Sequence, residues 1–122
     1  MLGTLTVSVR PNRYTFVTVD EPPALGRGIE AVLSEAEGTT VVVTVDEARC
    51  RGWPIDFVAA WVMLDVHSAL DAVGLTAAVS SALAEDGISA NVLAGYFHDH
   101  ILVPADRVDD AVASLTRLAA EA

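Results

Sequence analysis

The sequence predicts an α+β fold, because the apolar spacing changes from that of a strand to that of a helix within its C-terminal half. Residues 61–67 alternate apolar and polar side chains, which is typical of a strand with two distinct faces. After a loop over residues 68–74, apolar residues recur from Leu75 with the spacing of a helix. Gly87 then has the position of a helix C-terminal cap.

Two further strands follow as a predicted hairpin. Residues 88–96 alternate again, and residues 100–103 form a short apolar run. If positions 98–99 form a two-residue loop, Tyr96 faces Ile101, and each inward side chain meets another inward side chain. We therefore predict this register for the hairpin.

A second amphipathic helix is predicted from Val108, with Asp106 as its N-cap. The order strand-helix-strand-strand-helix is the core of the ferredoxin-like arrangement, an antiparallel sheet with helices on one face. Its right-handed first crossover leaves a gap between two strands, and we expect the strand at residues 101–103 to fill it. No final strand is present in this half, so we expect the N-terminal strands to cover the remaining sheet edge.

The N-terminal half is predicted to be a shortened version of the same order, so we divide the chain into residues 1–56 and 57–122. Its predicted elements are two strands at residues 5–9 and 14–19 with a turn between them, a short helix at residues 29–36 ended by Gly38, a β-branched strand at residues 39–45, and a helical turn at residues 46–50 capped by Asp46.

Composition narrows the function classes. The chain has 122 residues, 52% of them hydrophobic, and a formal net charge of −10. Nucleic acid and anionic membranes are therefore not expected as partners, since both need clusters of Lys and Arg. We find no apolar run long enough to cross a membrane and no signal peptide. A single cysteine, Cys50, excludes an internal disulfide framework and favours a cytoplasmic location.

Several segments resemble a family of small stand-alone bacterial ACT-domain proteins. In the C-terminal half these are residues 67–77, 87–92 and 95–100, and in the N-terminal half residues 14–19 and 35–39. The resemblance covers nearly the whole chain. It implies a ferredoxin-like ACT unit at the C-terminus and a shortened ACT-like unit at the N-terminus.

The resemblance also implies a function. ACT domains typically bind amino acids or similar small metabolites at the loop between the first strand and first helix, often at a dimer interface. The expectation is therefore a non-catalytic regulatory module that needs no cofactor, forms a homodimer, binds a small amino acid and acts on a separate protein. The alternative is an assembly or scaffold protein that uses the ACT-like surface only to pair subunits.

The candidate binding site is the glycine loop and the helix start that follows it. Glycine allows a close approach of the backbone, and the free N–H groups of a first helical turn can receive a carboxylate. Alternatively, Gly74 only makes a tight turn, Thr76 helps to cap the helix, and Asn91 satisfies backbone at the sheet edge. The residues predicted to bind the ligand are Ser68, Val73, Gly74, Leu75, Thr76 and Asn91.

Three histidines are candidates for metal binding or acid–base chemistry: His67, His98 and His100. We expect His67 at the end of its strand far from the hairpin that carries His98, which argues against a shared metal site. Packing in the hairpin or at an interface is the favoured role, and no metal is expected. Cys50 lies between two arginines but has no nucleophile motif around it, so we interpret it as an incidental thiol.

Overall fold

The computed structural model describes residues 5–66 and 74–120. Two compact units divide the chain, a larger unit of residues 1–10 and 60–122 and a smaller unit of residues 11–59. The elements in chain order are β1 (Leu5–Val19), β2 (Ile29–Glu35), β3 (Gly38–Thr44), α1 (Val45–Cys50), β4 (Ala59–Val66), α2 (Leu75–Glu85), β5 (Asn91–Ala94), β6 (Asp99–Pro104), a 3₁₀ turn (Ala105–Arg107) and α3 (Val108–Ala120).

The larger unit has the predicted ferredoxin-like order. Its hydrogen-bonded strands are neighbours in the order β1, β4, β6, β5. β6 therefore fills the gap that the crossover through α2 leaves, and β1 covers the edge beside β4, as predicted. In the smaller unit the order is β2, β3, β1, and both of these pairings are antiparallel.

The core of the larger unit lies between the sheet and the helices α2 and α3. β6 contributes Ile101 and Val103, neither of which has exposed area. The helices α2 and α3 contribute apolar residues at helical spacing. The strand period and the helix period predicted from the sequence therefore place side chains in the same core cluster. Its buried members are Ala60, Val62, Leu64, Leu75, Val79, Leu83, Ile88, Ile101, Val103, Ala111 and Leu115.

The C-terminal end of α2 confirms the predicted glycine cap. Gly87 has a φ of +71°, and its N–H donates to the carbonyl of Ala84 at 3.0 Å. The N–H of Ile88 donates to the carbonyl of Leu83 at 2.9 Å. These two bonds form a Schellman motif, which requires a left-handed residue at that position. Asp106, predicted to cap α3, lies instead inside the 3₁₀ turn that precedes this helix.

The predicted register of the β5–β6 hairpin is wrong. Ile101 is opposite Val92 instead of Tyr96, and the connection is a four-residue loop, residues 95–98, instead of two. The N–H of Gly95 donates to the carbonyl of His98 at 2.9 Å to close this loop. The shift is an even number of positions, so the residues that remain in the two strands keep their predicted face of the sheet. Tyr96, predicted to face inward, lies in the loop instead and is exposed.

Two predictions for the smaller unit are also wrong. The expected turn at residues 10–13 is absent, because β1 is one continuous strand of 15 residues. The expected helix at residues 29–36 is β2, which is paired along β3 with an irregularity after Ile29. Ile29 is 1% exposed in this strand. Pairing with the β-branched strand β3 outweighs the weak helical spacing of this segment.

The strand predicted at residues 39–45 is confirmed as β3, and the helical turn after it is confirmed as α1. Its cap differs from the prediction. The hydroxyl of Thr44 accepts a hydrogen bond from the N–H of Glu47 at 3.2 Å, whereas Asp46 lies in the first turn of the helix. Thr44 is thus the N-cap, and the negative charges of Asp46 and Glu47 face the positive end of the helix dipole.

We predict that Leu83→Ala lowers the free energy of unfolding by about 2–5 kcal/mol, because it leaves a cavity among buried side chains. Leu83 has no exposed area. The measurement is urea unfolding followed by circular dichroism. Leu25→Ala is the control, since Leu25 is 69% exposed. A loss below about 1 kcal/mol at Leu83, or an equal loss at Leu25, would contradict the described core.

Candidate functional site

The predicted glycine lies at the start of α2. Gly74 is its N-cap residue, with φ −91° and ψ −18°, and no side chain caps the helix there. Gly74 is exposed, and a Cβ added to it would meet no described atom within 4 Å. The backbone angle is therefore one that any residue adopts. Among the residues that the structure describes, none occupies the space that a side chain at this position would enter.

The residues around Gly74 fall into two groups. Leu75 is 4% exposed and belongs to the core, so only its backbone is available at the surface. Thr76 is exposed in the first turn of the helix. Ser68 and Val73 lie outside the described residues. Of the predicted loop and helix start, the structure therefore describes three consecutive residues, Gly74, Leu75 and Thr76.

Asn91 has a different place in the fold. It is exposed, begins β5 and is opposite Leu102 of β6. The chain reaches β5 from the C-terminal end of α2, where Ile88 is bonded to Leu83, whereas Gly74 begins that helix. Gly74, Leu75 and Thr76 lie together at the start of α2. Asn91 lies at the start of β5, which follows the C-terminal end of that helix in the chain.

A second polar arrangement, which the sequence did not predict, lies at the hairpin of the larger unit. Nδ1 of His98 lies 2.5 Å from Oδ1 of Asp65, near the end of β4. The hairpin is therefore beside the C-terminal end of β4, and the expectation that it lies at the far end of that strand is wrong. His67, whose position that expectation concerned, lies outside the described residues. The contact between Asp65 and His98 was not predicted from the sequence, and the hairpin register predicted there was incorrect.

His100 lies in the same hairpin, on β6, and is hydrogen-bonded to the buried Trp61. Nε1–H of Trp61 donates to Nδ1 of His100 at 3.0 Å, and the two rings meet edge to face at 5.5 Å between centroids. The guanidinium of Arg10 lies 4.0 Å above the Trp61 ring. An indole N–H only donates, so Nδ1 of His100 holds a lone pair and the proton of its neutral ring sits on Nε2.

The surroundings of His100 favour this neutral form. Burial lowers the pKa of His100 below its ordinary value of 6.5, and the positive charges of Arg10 and His98 lower it further, while Asp99 opposes them. His98 and His100 are 6.3 Å apart between ring centroids. Within the described ranges, 5–66 and 74–120, no group of three His, Cys, Asp or Glu side chains is placed to hold a metal ion.

The tip of the same hairpin is apolar. Tyr96 is 95% exposed and Phe97 is 80% exposed, and their rings contact each other edge to face at 4.9 Å between centroids. The predicted register had turned Tyr96 toward Ile101 and so did not place it at the surface. For the residues that the structure describes, no helix has the length and apolar character to span a membrane.

Comparison with known proteins agrees with this fold. Two ACT domain profiles match the chain, one at residues 57–117 and the other at residues 1–60. The chain belongs to the ACT domain family and contains two ACT domains, one in each half. A search of curated proteins gave no match.

A solved protein of unknown function from Vibrio cholerae, described as a possible transport protein, is 37% identical. The match covers 97% of this chain and 92% of that protein, with a TM-score of 0.85. A protein from Agrobacterium tumefaciens is 18% identical over 94% of this chain and 89% of that one, with a TM-score of 0.68. The ligand-free regulatory subunit of aspartate kinase from Thermus thermophilus is 13% identical over 92% of this chain and 95% of that subunit, with a TM-score of 0.66. The last two matches show a shared fold alone.

We predict that the imidazole of His100 titrates below pH 6.5, its ordinary pKa, in a two-dimensional NMR titration of the histidine ring protons. Because the folded state disfavours the proton, the stabilising contribution of His100 is complete above 6.5 and is lost as the pH falls toward the lowered pKa. Arg10→Gln removes one positive charge and should raise the pKa of His100, whereas Arg117→Gln should not. A His100 titration at or above its ordinary value would contradict the described contacts.

Proposed function

We propose that this protein is a non-catalytic regulatory ACT module that binds a small amino acid or a similar carboxylate metabolite at the start of α2. The observation that carries the proposal, in a member of the ACT domain family, is that no described atom lies within 4 Å of a Cβ added to Gly74. A ligand carboxylate fits there because backbone N–H groups at a helix start favour an anion.

Charge at the helix starts supports this assignment. The first turn of α1 carries Asp46 and Glu47, and that of α3 carries Asp109 and Asp110. The first turn of α2 has no acidic residue and no side-chain cap. In a chain with 17 acidic residues, α2 is the described helix that has no acidic residue in its first turn, at the positive end of its dipole. A bound carboxylate would supply that charge.

The proposed ligand set comprises Gly74, Leu75 and Thr76 at the helix start, with Ser68 and Val73 from the loop before it and Asn91 from β5. Leu75 would act through its backbone N–H, because its side chain is buried in the core. Thr76 would add a hydroxyl. We further propose that the protein works in the cytoplasm as a homodimer and passes ligand binding on to a separate protein.

The alternative function is assembly without a small ligand. Its supporting observation is the apolar hairpin tip, where Tyr96 and Phe97 are almost fully exposed. Large aromatic side chains are typical of the centres of protein interfaces. In this alternative the hairpin pairs subunits, and the helix start of α2 has no ligand.

We predict that at least one of the common amino acids raises the melting temperature of the protein in a thermal-shift screen. A ligand at 100 times its dissociation constant adds about 2.7 kcal/mol of stability. Gly74→Leu should abolish that shift because its side chain fills the open space, and it should leave the fold intact because no described atom lies within 4 Å of the added Cβ.

Ala84→Leu is the matched control, since Ala84 is exposed near the other end of the same helix. It should keep the ligand-induced shift. If no amino acid shifts the melting temperature, or if Gly74→Leu retains the full shift, binding at the start of α2 is refuted and the assembly function is favoured.

We predict for the assembly alternative that the double variant Tyr96→Ser, Phe97→Ser converts the assembled protein to monomer in sedimentation velocity. Loss of two exposed aromatic anchors removes apolar area that an interface would bury. Leu25→Ser is the control, because Leu25 is also exposed but lies in the smaller unit. An unchanged sedimentation coefficient in the double variant would exclude the hairpin tip as the pairing surface.

A further inference from the structure

The positive charge of this chain is concentrated in one type of side chain. All seven basic residues are arginine, in a protein with a formal net charge of −10. Four of them, Arg13, Arg27, Arg49 and Arg51, belong to the smaller unit. Arginine presents a planar fork of donors that matches a carboxylate or a phosphate group better than lysine does.

Three of these arginines line two adjoining surface clefts of the smaller unit. One cleft has a volume of about 350 Å³ and is lined by Arg13 and Arg49. The other has a volume of about 300 Å³ and is lined by Arg27. Both clefts are also lined by Asn12, Thr44 and Asp46, so they share one wall.

The loop that carries Arg27 has an unusual backbone. Arg27 has a φ of +53°, between Gly26 at +103° and Gly28 at +83°. Hydrogen bonds hold both ends of this loop, from the N–H of Ile29 to the carbonyl of Gly26 at 3.0 Å and from the N–H of Thr44 to the carbonyl of Gly28 at 2.9 Å. A non-glycine residue in this region is strained, and such strain is concentrated at functional sites.

Of the acidic residues at the clefts, Glu47 is paired with an arginine that lines neither cleft. Glu47 pairs with Arg51, with 2.6 Å between its Oε2 and Nε of Arg51. Asp46 and Arg49 are 3.8 Å apart and both are mostly exposed, so their attraction is weak. Glu30 also lines the second cleft. Over residues 5–66 and 74–120, neither Arg13 nor Arg27 forms an ion pair.

We propose that these joined clefts bind a small metabolite through an oxyanion group, a carboxylate or a phosphate, held between Arg13 and Arg49 with Arg27 at its other side. The side-chain amide of Asn12 donates a further hydrogen bond. This site is separate from the start of α2, and it does not depend on the function proposed there. Asp46 also lines both clefts, and the negative charge of its carboxylate lowers the affinity for an anion.

The test is a titration with inorganic phosphate and with succinate at constant ionic strength, followed through the backbone amide signals in NMR. Saturable shifts at Asn12, Arg13 and Thr44 are expected with at least one of the two probes. The probe that binds more tightly identifies the oxyanion group. The diamide of succinate, which has the same shape without charge, should cause no saturable shift.

Charge variants separate a site from a general attraction. Arg13→Gln and Arg49→Gln should each weaken binding by about fivefold or more, since each removes a charge-assisted hydrogen bond. Asp46→Asn should tighten binding, a gain that damage to the fold would not produce. Arg117→Gln, which changes the net charge equally but lies in the larger unit, should change the affinity less than about twofold.

Several results would overturn the proposal. They are the absence of saturable binding by either probe at millimolar concentration, an equal loss of affinity in Arg117→Gln, or amide shifts confined to residues around Gly74. The last result would instead support the site at the start of α2, so the two proposals fail in distinguishable ways.

Discussion

Burial of β6 on both of its faces is the constraint on which the larger unit depends. Ile101, Leu102 and Val103 are consecutive and have no exposed area, so side chains on both faces of this strand are out of water. β6 lies between β4 and β5, so its backbone N–H and C=O groups have hydrogen-bonding neighbours on both edges as well. The helices α2 and α3 cover one face with Leu83 and Leu115, and their placement determines where the start of α2 reaches the surface.

Much of this unit could be predicted from the sequence, because each of its elements is long or strongly periodic. The helix α2 was predicted to begin at Leu75 and to be capped by Gly87, and the structure agrees. The faces of the residues paired in the hairpin agree with the predicted alternation even though the register was wrong, whereas Tyr96 was predicted to face inward and is exposed in the loop. Alternation determines the face, whereas the register also depends on the length of the loop, and loops of two and four residues give the same alternation.

The errors have a common physical origin, which is that local signals were weak where distant contacts decide the structure. Residues 10–13 contain a proline and an asparagine, yet β1 continues through them as one strand of 15 residues. Residues 29–36 have helical spacing, yet they pair with β3. The contact of Asp65 with His98 depends on both the register of the hairpin and the position of its loop, so neither residue alone indicated it.

The two units use the start of a helix differently, and this difference bears on where a ligand can bind. At α1 the hydroxyl of Thr44 already accepts from the N–H of Glu47, and the loop presses so closely that a Cβ on Gly28 would lie 2.5 Å from that hydroxyl oxygen. At α2 no atom of residues 5–66 and 74–120 lies within 4 Å of a Cβ added to Gly74, and Gly74 provides no side-chain cap. Under the two proposals, an anion near α1 would therefore be held by arginine side chains from outside the helix, whereas one at α2 would meet backbone amides directly. The two proposed sites thus differ in the chemistry by which they would recognise a negative charge.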